Sequence, residues 1–310
     1  MKFATRINSF LKRDGQTIAS ALAAIGHIEE LTHVDFNYPE HFEQTGEPEL
    51  KALLERNGLR LNGIALRFPD IFQDGEFTNG DPALAQYAEQ LCMEAIALCR
   101  RMKGEVVTVW QAFDGFDYPF QINYENAWNS MKEAFARIAD AAAPDVQISI
   151  EYKPFQPRSF SLVPNMATAL LLVEEIGRSN VGLTLDFCHM LMAGENPATA
   201  LAIAASHGRL RGVHLNDGYR MNDDGLMVGS VHPVHTLEFL YYAKKHGYHQ
   251  ALYFDTFPVR EDPSGECIQN IQTVRKMLSF IDRQGLPYFE ELIRRQSGFS
   301  SSIILGEWMM

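Results

Sequence analysis

Four side chains of the kind that bind metal ions fall near the carboxyl ends of consecutive predicted β-strands in this 310-residue chain. They are three carboxylates and one imidazole: Glu151, Asp186, His214 and Asp255. Carboxylates crowded together repel one another unless positive charge lies among them. A divalent cation supplies that charge, and this donor set suits Mn, Co or Mg, with Zn also compatible. One such carboxylate is commonly a helix cap, but one ligand-type residue on each of several consecutive strands predicts a metal site.

A second ligand set follows the first along the chain. His189 lies three residues past the acidic end of its strand, and that spacing can return the imidazole to the same rim. Residues 216–225 read NDGYRMNDDG, a composition typical of a solvated turn. Within this segment Asp224 is predicted to be functional, whereas Asp217 and Asp223 fit a turn and a ligand set equally well. The sequence therefore predicts one or two bound ions.

Candidate substrate-binding residues lie on the same rim. Lys153 follows Glu151 by two residues, so strand alternation places both side chains on one side. Its ammonium could hold a carbonyl or hydroxyl oxygen as negative charge develops. Residues 110–121 read WQAFDGFDYPFQ, which mixes aromatic faces with polar groups. Such a mixture favours a sugar platform, with Trp110 and Asp114 as its candidate residues, over a loop that only packs on its neighbours.

Short β-rich runs alternate with longer amphipathic runs, and this alternation predicts parallel strands joined by helical crossovers. Eight such pairs in a chain of this length favour a closed, single-domain (β/α)8 barrel, whose active site is expected at the carboxyl ends of the strands. The barrel is predicted over residues 1–286, and a short C-terminal arm with a helix near 288–296 over residues 287–310. The predicted strands are Phe3–Asn8, His33–Asn37, Leu59–Arg67, Glu105–Trp110, Val146–Tyr152, Gly182–Cys188, Gly212–Asn216 and Leu252–Thr256. The predicted helices lie near 16–26, 48–57, 82–103, 123–143, 166–177, 197–207, 233–247 and 265–284.

Composition and charge narrow the function classes. The chain is 46% hydrophobic and 21% charged, with a formal net charge of -12 and a pI of about 5.3. An acidic surface disfavours a generic nucleic-acid partner. The sequence contains no CxxC pair, no apolar leader and no apolar run long enough to cross a bilayer. We therefore expect a cytoplasmic protein with a small-molecule substrate and no membrane or nucleic-acid partner.

Taken together, these motifs resemble the xylose isomerase-like barrel superfamily of sugar isomerases and epimerases. The resemblance is carried by EYKP at 151–154, DFCH at 186–189, HLND at 214–217, the 222–224 cluster with VGS at 228–230, and Asp255. Within the superfamily the closest likeness is to L-rhamnose isomerases and their smaller relatives. The resemblance also implies a homodimer or homotetramer.

The resemblance implies roles for individual residues. It implies that Glu151, Asp186, His214 and Asp255 hold one metal ion, and that His189 and Asp224, with Asp186 or a neighbour, hold a second. The residues that it implies to be catalytic are Glu151, Lys153, His189 and Asp255, and Lys153 and His189 would also contact the substrate.

These observations predict metal-dependent aldose–ketose isomerisation of a small sugar, from tetrose to hexose, by hydride shift or through an enediol. No glycine-rich phosphate cradle is apparent near the last two strands, which favours an unphosphorylated sugar. The alternative in the same superfamily is a ketose 3-epimerase, in which the last strand characteristically carries Glu. Asp255 argues against that function, whereas Arg220 would suit an epimerase as its sugar-binding arginine. A DNA-repair endonuclease of similar fold and a non-catalytic sugar-binding barrel are less favoured.

Overall fold

The structure, a computed structural model, describes residues 2–12 and 15–309; positions 1 and 310, the outer limits of the predicted barrel and arm, lie outside them. Eight parallel strands close into a barrel in which β1 pairs with both β2 and β10, as the sequence predicted. The barrel strands are β1 (Lys2–Arg6), β2 (Leu31–Tyr38), β3 (Arg60–Leu66), β4 (Val106–Trp110), β6 (Gln147–Glu151), β8 (Val181–Asp186), β9 (Leu210–Leu215) and β10 (Ala251–Phe254). Two short antiparallel strands, β5 (Gly115–Phe116) and β7 (Phe160–Ser161), lie outside it.

The eight predicted crossover helices and the arm helix are present, and none of their ends is shifted by more than two residues. They are α2 (Ile18–Gly26), α4 (Glu47–Arg56), α5 (Pro82–Arg101), α6 (Tyr124–Ala142), α7 (Met166–Ile176), α9 (Pro197–Ser206), α10 (Pro233–Lys245), α11 (Pro263–Gln284) and α12 (Leu286–Arg294). The structure adds helices that the sequence did not predict: α1 (Asn8–Leu11), α3 (Glu40–Gln44), α8 (Phe187–Met192) and α13 (Phe299–Met309).

Local sequence explains these elements. Strand β8 reads VGLTLD and is buried along its whole length, as expected of a parallel strand covered on both faces. Asparagines at 123, 165 and 196 begin α6, α7 and α9, and each side chain accepts a hydrogen bond from a backbone amide of the first turn. Such caps satisfy amide groups that otherwise have no partner within a helix.

Strand register places the polar side chains. Trp110 on β4 is the register partner of Glu151 on β6, and Asp186 on β8 is the partner of His214 on β9. The β8–β9 pair approaches closely at Gly212, where a Cβ atom would lie 2.4 Å from Thr184 Oγ1. A glycine at this position therefore permits the pairing that brings the two strand ends together.

The C-terminal helices pack on the barrel. Helix α12 follows α11 after Gly285, and α13 contacts α10. The Tyr288 hydroxyl on α12 donates a hydrogen bond to Glu307 Oε2 on α13 (2.7 Å). The division between barrel and arm at residue 286 stays a prediction. None of the helices in the described residues has the length and apolarity that a membrane span requires.

Candidate active site at the carboxyl ends of the strands

Four side chains from consecutive barrel strands form a first cluster. Glu151 ends β6, Asp186 ends β8, His214 lies on β9 and Asp255 directly follows β10. Each offers one ligand atom, these atoms lie within 4.8 Å of one another, and all four residues are buried. His214 Nδ1 is 3.4 Å from Glu151 Oε1 and 3.9 Å from Asp186 Oδ2. The four residues that the sequence grouped as metal ligands therefore lie together.

The donors of this cluster fit a divalent cation. Within the described chain, the buried Nδ1 atoms of His214 and His189 have no hydrogen-bond partner. Both nitrogens face carboxylate oxygens, and the oxygen that they share, Glu151 Oε1, is 3.5 Å from His189 Nδ1. A cation among these atoms would satisfy the nitrogens and neutralise the carboxylates.

Asp186 has two partners besides the cluster. Its Oδ1 accepts a hydrogen bond from the His189 amide (2.9 Å), so the carboxylate caps the short helix α8. Its Oδ2 accepts from Asn216 Nδ2 (2.9 Å). The helix-cap interpretation therefore applies to Asp186 without excluding it as a ligand, because these bonds hold the carboxylate in place and each oxygen keeps a second lone pair.

Burial and the crowded charges shift the acidities of the cluster. Burial raises the pKa of Asp186 to about 7. Burial also opposes ionisation of Glu151, but the nearby His214 imidazolium outweighs it and lowers the pKa of Glu151 to about 2. In turn burial disfavours the charged form of His214, but the Glu151 carboxylate raises its pKa to about 9. In the metal-free protein a proton on His214 therefore supplies the positive charge that a cation would otherwise bring.

Asp186, His189 and Asp223 form a second cluster beside the first. His189 Nε2 lies 3.2 Å from Asp223 Oδ2, and Lys153 Nζ donates a hydrogen bond to the same oxygen (3.0 Å). Burial disfavours the charged form of Asp223, but His189 and Lys153 outweigh it and lower its pKa. The buried Oδ1 of Asp223 has no partner in the described chain, so this oxygen remains available to a ligand.

The structure corrects the position of one acidic residue. Asp224, which the resemblance placed in the second metal site, lies outside both clusters, and its Oδ2 accepts a hydrogen bond from the Tyr219 amide (2.6 Å). Asp223 lies in the second cluster instead. The sequence allowed Asp223 to be either a turn residue or a ligand, and its position in the structure fits a ligand. Asp217 is buried and accepts from the Val231 and His232 amides (2.9 and 2.8 Å), so it anchors the loop that carries Asp223.

A cavity of about 310 Å³ opens beside the clusters, and its walls include Lys153 and Trp110. Lys153 Nζ lies 5.1 Å from the centre of the half-buried Trp110 ring, and the Arg67 guanidinium lies 5.3 Å from it. A larger cavity of about 470 Å³ lies between α10 and the C-terminal helices. We place the active site in the smaller cavity because both ligand clusters border it.

Two residues predicted to bind substrate do not line this cavity. Asp114 is only 1% exposed, and its carboxylate accepts hydrogen bonds from the backbone amides of residues 76–78. Thr78 Oγ1 and Gln111 Nε2 also donate to it, so Asp114 joins the loop before α5 to the loop after β4. Arg220 lies on an exposed turn with a φ of 74° and does not line the cavity.

Sequence reasoning missed the residues that the first and third strands bring to the site. Arg6 is the last residue of β1, and its Nη1 donates a hydrogen bond to Asp255 Oδ1 (2.9 Å). Arg67 directly follows β3 and lines the cavity, as does Phe257 after β10. Glu151 was identified as a charged residue at the carboxyl end of a predicted strand, β6. The same pattern at the ends of β1 and β3 could have identified Arg6 and Arg67.

Comparison with known proteins identifies the family. The sequence profile of the xylose isomerase-like TIM barrel family matches residues 21–291. The chain therefore belongs to the xylose isomerase-like TIM barrel family, and the resemblance given by its motifs is confirmed. Proteins that it resembles include isomerases and epimerases.

One curated relative is the xylose isomerase of Thermus thermophilus, which is 28% identical over 224 residues. The match covers 69% of this chain and 58% of that enzyme, so this chain spans little more than half the length of the relative. The crystal structure of a D-tagatose 3-epimerase-like protein superposes with a TM-score of 0.74 at 18% identity, covering 92% of this chain and 99% of that one. The structure of an L-ribulose 3-epimerase gives a TM-score of 0.72 at 19% identity, covering 92% and 97%. At these identities the structural likenesses show the fold alone.

Proposed function

We propose that this protein is a metal-dependent aldose–ketose isomerase that acts on a small unphosphorylated sugar. The observation that carries the proposal is the Lys153 ammonium, which lies over Trp110 and binds Asp223 at the edge of both ligand clusters. An isomerase needs a positively charged group beside the oxygen on which charge develops as the carbonyl moves between neighbouring carbons. Lys153 meets that need.

The clusters assign the metal ligands of the proposal. Glu151, Asp186, His214 and Asp255 would hold one ion, for which Mn, Co or Mg is expected and Zn is compatible. Asp186, His189 and Asp223 would hold a second, so Asp223 takes the place that the resemblance implied for Asp224. When bound, the ion supplies Lewis-acid polarisation of a sugar carbonyl.

The surrounding side chains bind and orient the sugar. The Trp110 face packs against C–H groups of the sugar, and Lys153 Nζ donates a hydrogen bond to the reacting oxygen. Asp223 Oδ2 accepts from Lys153 and faces His189 Nε2, so it aims the ammonium and offers a site for a proton. Because Lys153 and His189 are both buried, the sugar displaces water as it binds, and the hydrogen bonds that it forms become stronger.

The second candidate is a ketose 3-epimerase, which the fold similarity to such enzymes supports. That reaction needs an acid or base on each side of the sugar carbon that is inverted. Asp255 holds the last-strand position, but its Oδ1 accepts from Arg6 at 2.9 Å while its carboxylate belongs to the first cluster. The hydrogen bond from Arg6 and the position in the first cluster both restrict the Asp255 carboxylate as an acid or base. This restriction favours the isomerase.

A sugar panel tests the proposal. Tetroses, pentoses and hexoses are incubated with the protein and Mn²⁺, Co²⁺ or Mg²⁺, and the products are identified by ¹³C NMR. We expect ketose from aldose, loss of turnover in EDTA, and loss in Glu151→Gln and Asp255→Asn, with the exposed Glu133→Gln as the control. Conversion of one ketose into another without any aldose would establish the epimerase instead. Full activity in EDTA would refute the metal roles.

Two expectations from the sequence analysis stay predictions. One is assembly into a homodimer or homotetramer, which sedimentation analysis measures. The other is a cytoplasmic location, which fractionation of the source cells would test.

A further inference from the structure

The cavity has a positively charged wall beside the ligand clusters. The metal-type residues come from β6 to β10, whereas Arg6, Lys12 and Arg67 enter from the side of β1 and β3. Arg6 pairs with Asp255, as Lys153 pairs with Asp223. The wall therefore includes two cations, Lys12 and Arg67, that do not serve the clusters through ion pairs.

Of these two cations, Arg67 gives the clearer indication of an anion-binding site. In residues 2–12 and 15–309, no carboxylate forms an ion pair with the Arg67 or Lys12 side chain. Arg67 is half-buried with its guanidinium 5.3 Å from the Trp110 ring centre, and Lys12 Nζ donates to the Pro258 carbonyl (3.4 Å). A half-buried guanidinium that rests on an aromatic ring keeps its forked donors for an anion.

The charges of the side chains around the cavity also favour an anionic ligand. Arg6, Lys12, Arg67 and Lys153 line the cavity, and the two clusters contain four carboxylates, so these side-chain charges balance when both imidazoles are neutral, as ion binding requires. Each divalent ion adds two positive charges to that balance. A neutral sugar would leave this excess uncompensated in a partly buried site, whereas an anionic sugar would reduce it.

The room beyond Trp110 suits a ligand that extends past the clusters. A second cavity of about 350 Å³ adjoins the first, and Arg67, Trp110 and Lys153 line both. A sugar whose reacting carbons lie at Lys153 therefore has room to extend past Trp110 to Arg67.

We propose that the substrate is a sugar acid whose carboxylate, at the end remote from the reacting carbons, binds Arg67, with Lys12 adding attraction. The proposal rests on the isomerase function and names its substrate class. A carboxylate is favoured over a phosphate because three amides of the segments after β9 and β10 already have acceptors: Asp217 accepts from the Val231 and His232 amides, and Asp262 from the Gly265 amide. Arg67 offers a planar fork that matches a carboxylate.

Steady-state kinetics with matched sugars tests the proposal. We expect kcat/KM to be about tenfold or more higher for D-glucuronate than for D-glucose, because one charge-assisted contact supplies that factor. Arg67→Gln should lower the acid-to-neutral ratio by about tenfold or more, mainly through KM. The matched control is Arg60→Gln, which removes the same charge from an exposed position at the opposite end of β3. A ratio near one, or a ratio that Arg67→Gln leaves unchanged, would overturn the proposal.

A binding measurement separates this inference from the isomerase function. Calorimetric titration of the full chain in Mg²⁺ should show D-glucuronate binding that Arg67→Gln weakens about tenfold or more and that added NaCl also weakens. If that binding is found but no sugar is isomerised, the proposed function fails and the carboxylate site stands. If neutral aldoses are isomerised and Arg67→Gln leaves D-glucuronate binding intact, the function stands and the carboxylate site fails. Preference for D-glucose 6-phosphate over D-glucuronate would replace the carboxylate with a phosphate and overturn the proposal.

Discussion

Replacing Asp114 by alanine should destabilise the fold rather than remove a substrate contact. The Asp114 carboxylate joins two loops at the mouth of the barrel. Its Oδ1 accepts from the Glu76 amide, the Thr78 amide and Thr78 Oγ1 at 2.9, 3.1 and 2.6 Å. Its Oδ2 accepts from the Phe77 amide and Gln111 Nε2 at 3.2 and 3.0 Å. Alanine removes all of these acceptors.

The donors left behind set the size of the effect. Glu76 and Phe77 are buried, so their amides cannot easily find water, whereas the half-buried Thr78 can be partly resolvated. Each buried donor without a partner costs about 1–3 kcal/mol. We therefore expect Asp114→Ala to lower the free energy of unfolding by about 4 kcal/mol, and the melting temperature by about 6 °C for a chain of this size.

Urea unfolding followed by circular dichroism measures this change, and the exposed Asp74→Ala in the same loop is the control. The control should change the free energy of unfolding by about 0.5 kcal/mol or less. KM for the sugar substrate is measured with both variants. If Asp114→Ala unfolds like the control while its KM rises more than about tenfold, the structural role is refuted and the substrate role predicted from the sequence is restored.

Three further predictions test the site and its surroundings. Glu151→Gln should weaken binding of the first Mn²⁺ by about 100-fold or more in a titration followed by electron paramagnetic resonance; unchanged affinity would remove Glu151 from the ligand set. Lys153→Met should lower kcat by about 100-fold while first-site metal affinity stays within about threefold; a change in KM alone would limit Lys153 to binding. Burial and the nearby Asp114 raise the pKa of Glu76 well above its usual range, so its stabilising contribution is complete below the unfolded pKa and is lost as pH rises through the folded pKa. Glu76→Gln should therefore lose less unfolding free energy than the wild type between pH 5 and pH 8, and parallel curves in urea would contradict this.

The barrel was predictable because each element carries a local signal. The strand at 181–186 is an apolar, β-branched run, and the helix at 124–142 begins at a capping Asn and keeps one buried face. Helix α8 was missed because its six residues directly follow β8 without a break in hydrophobicity. The strand pair β5–β7 was missed because two-residue strands carry no alternation.

Part of the candidate site was predictable for a related reason. Glu151 and Asp186 end strands whose neighbours in the barrel are known once the strand order is known, so their meeting follows from topology. The choice between Asp223 and Asp224 did not follow, because the two lie side by side in a loop and its path decides which one faces the cluster. Asp114 was misplaced for a similar reason: its partners lie about forty positions earlier in the chain, and no local pattern shows them.

The ion pair between Arg6 and Asp255 joins residues 249 positions apart along the chain. It links β10 to β1, the strand pair that closes the barrel. This pair can form only after β10, the last strand of the barrel, has been synthesised. A nascent chain that has not yet produced β10 lacks one donor of the first cluster and the partner of Arg6. The first cluster would therefore gain its full ligand set only after the ring of strands has closed, and a metal-sensitive fluorescent probe could time barrel closure during refolding.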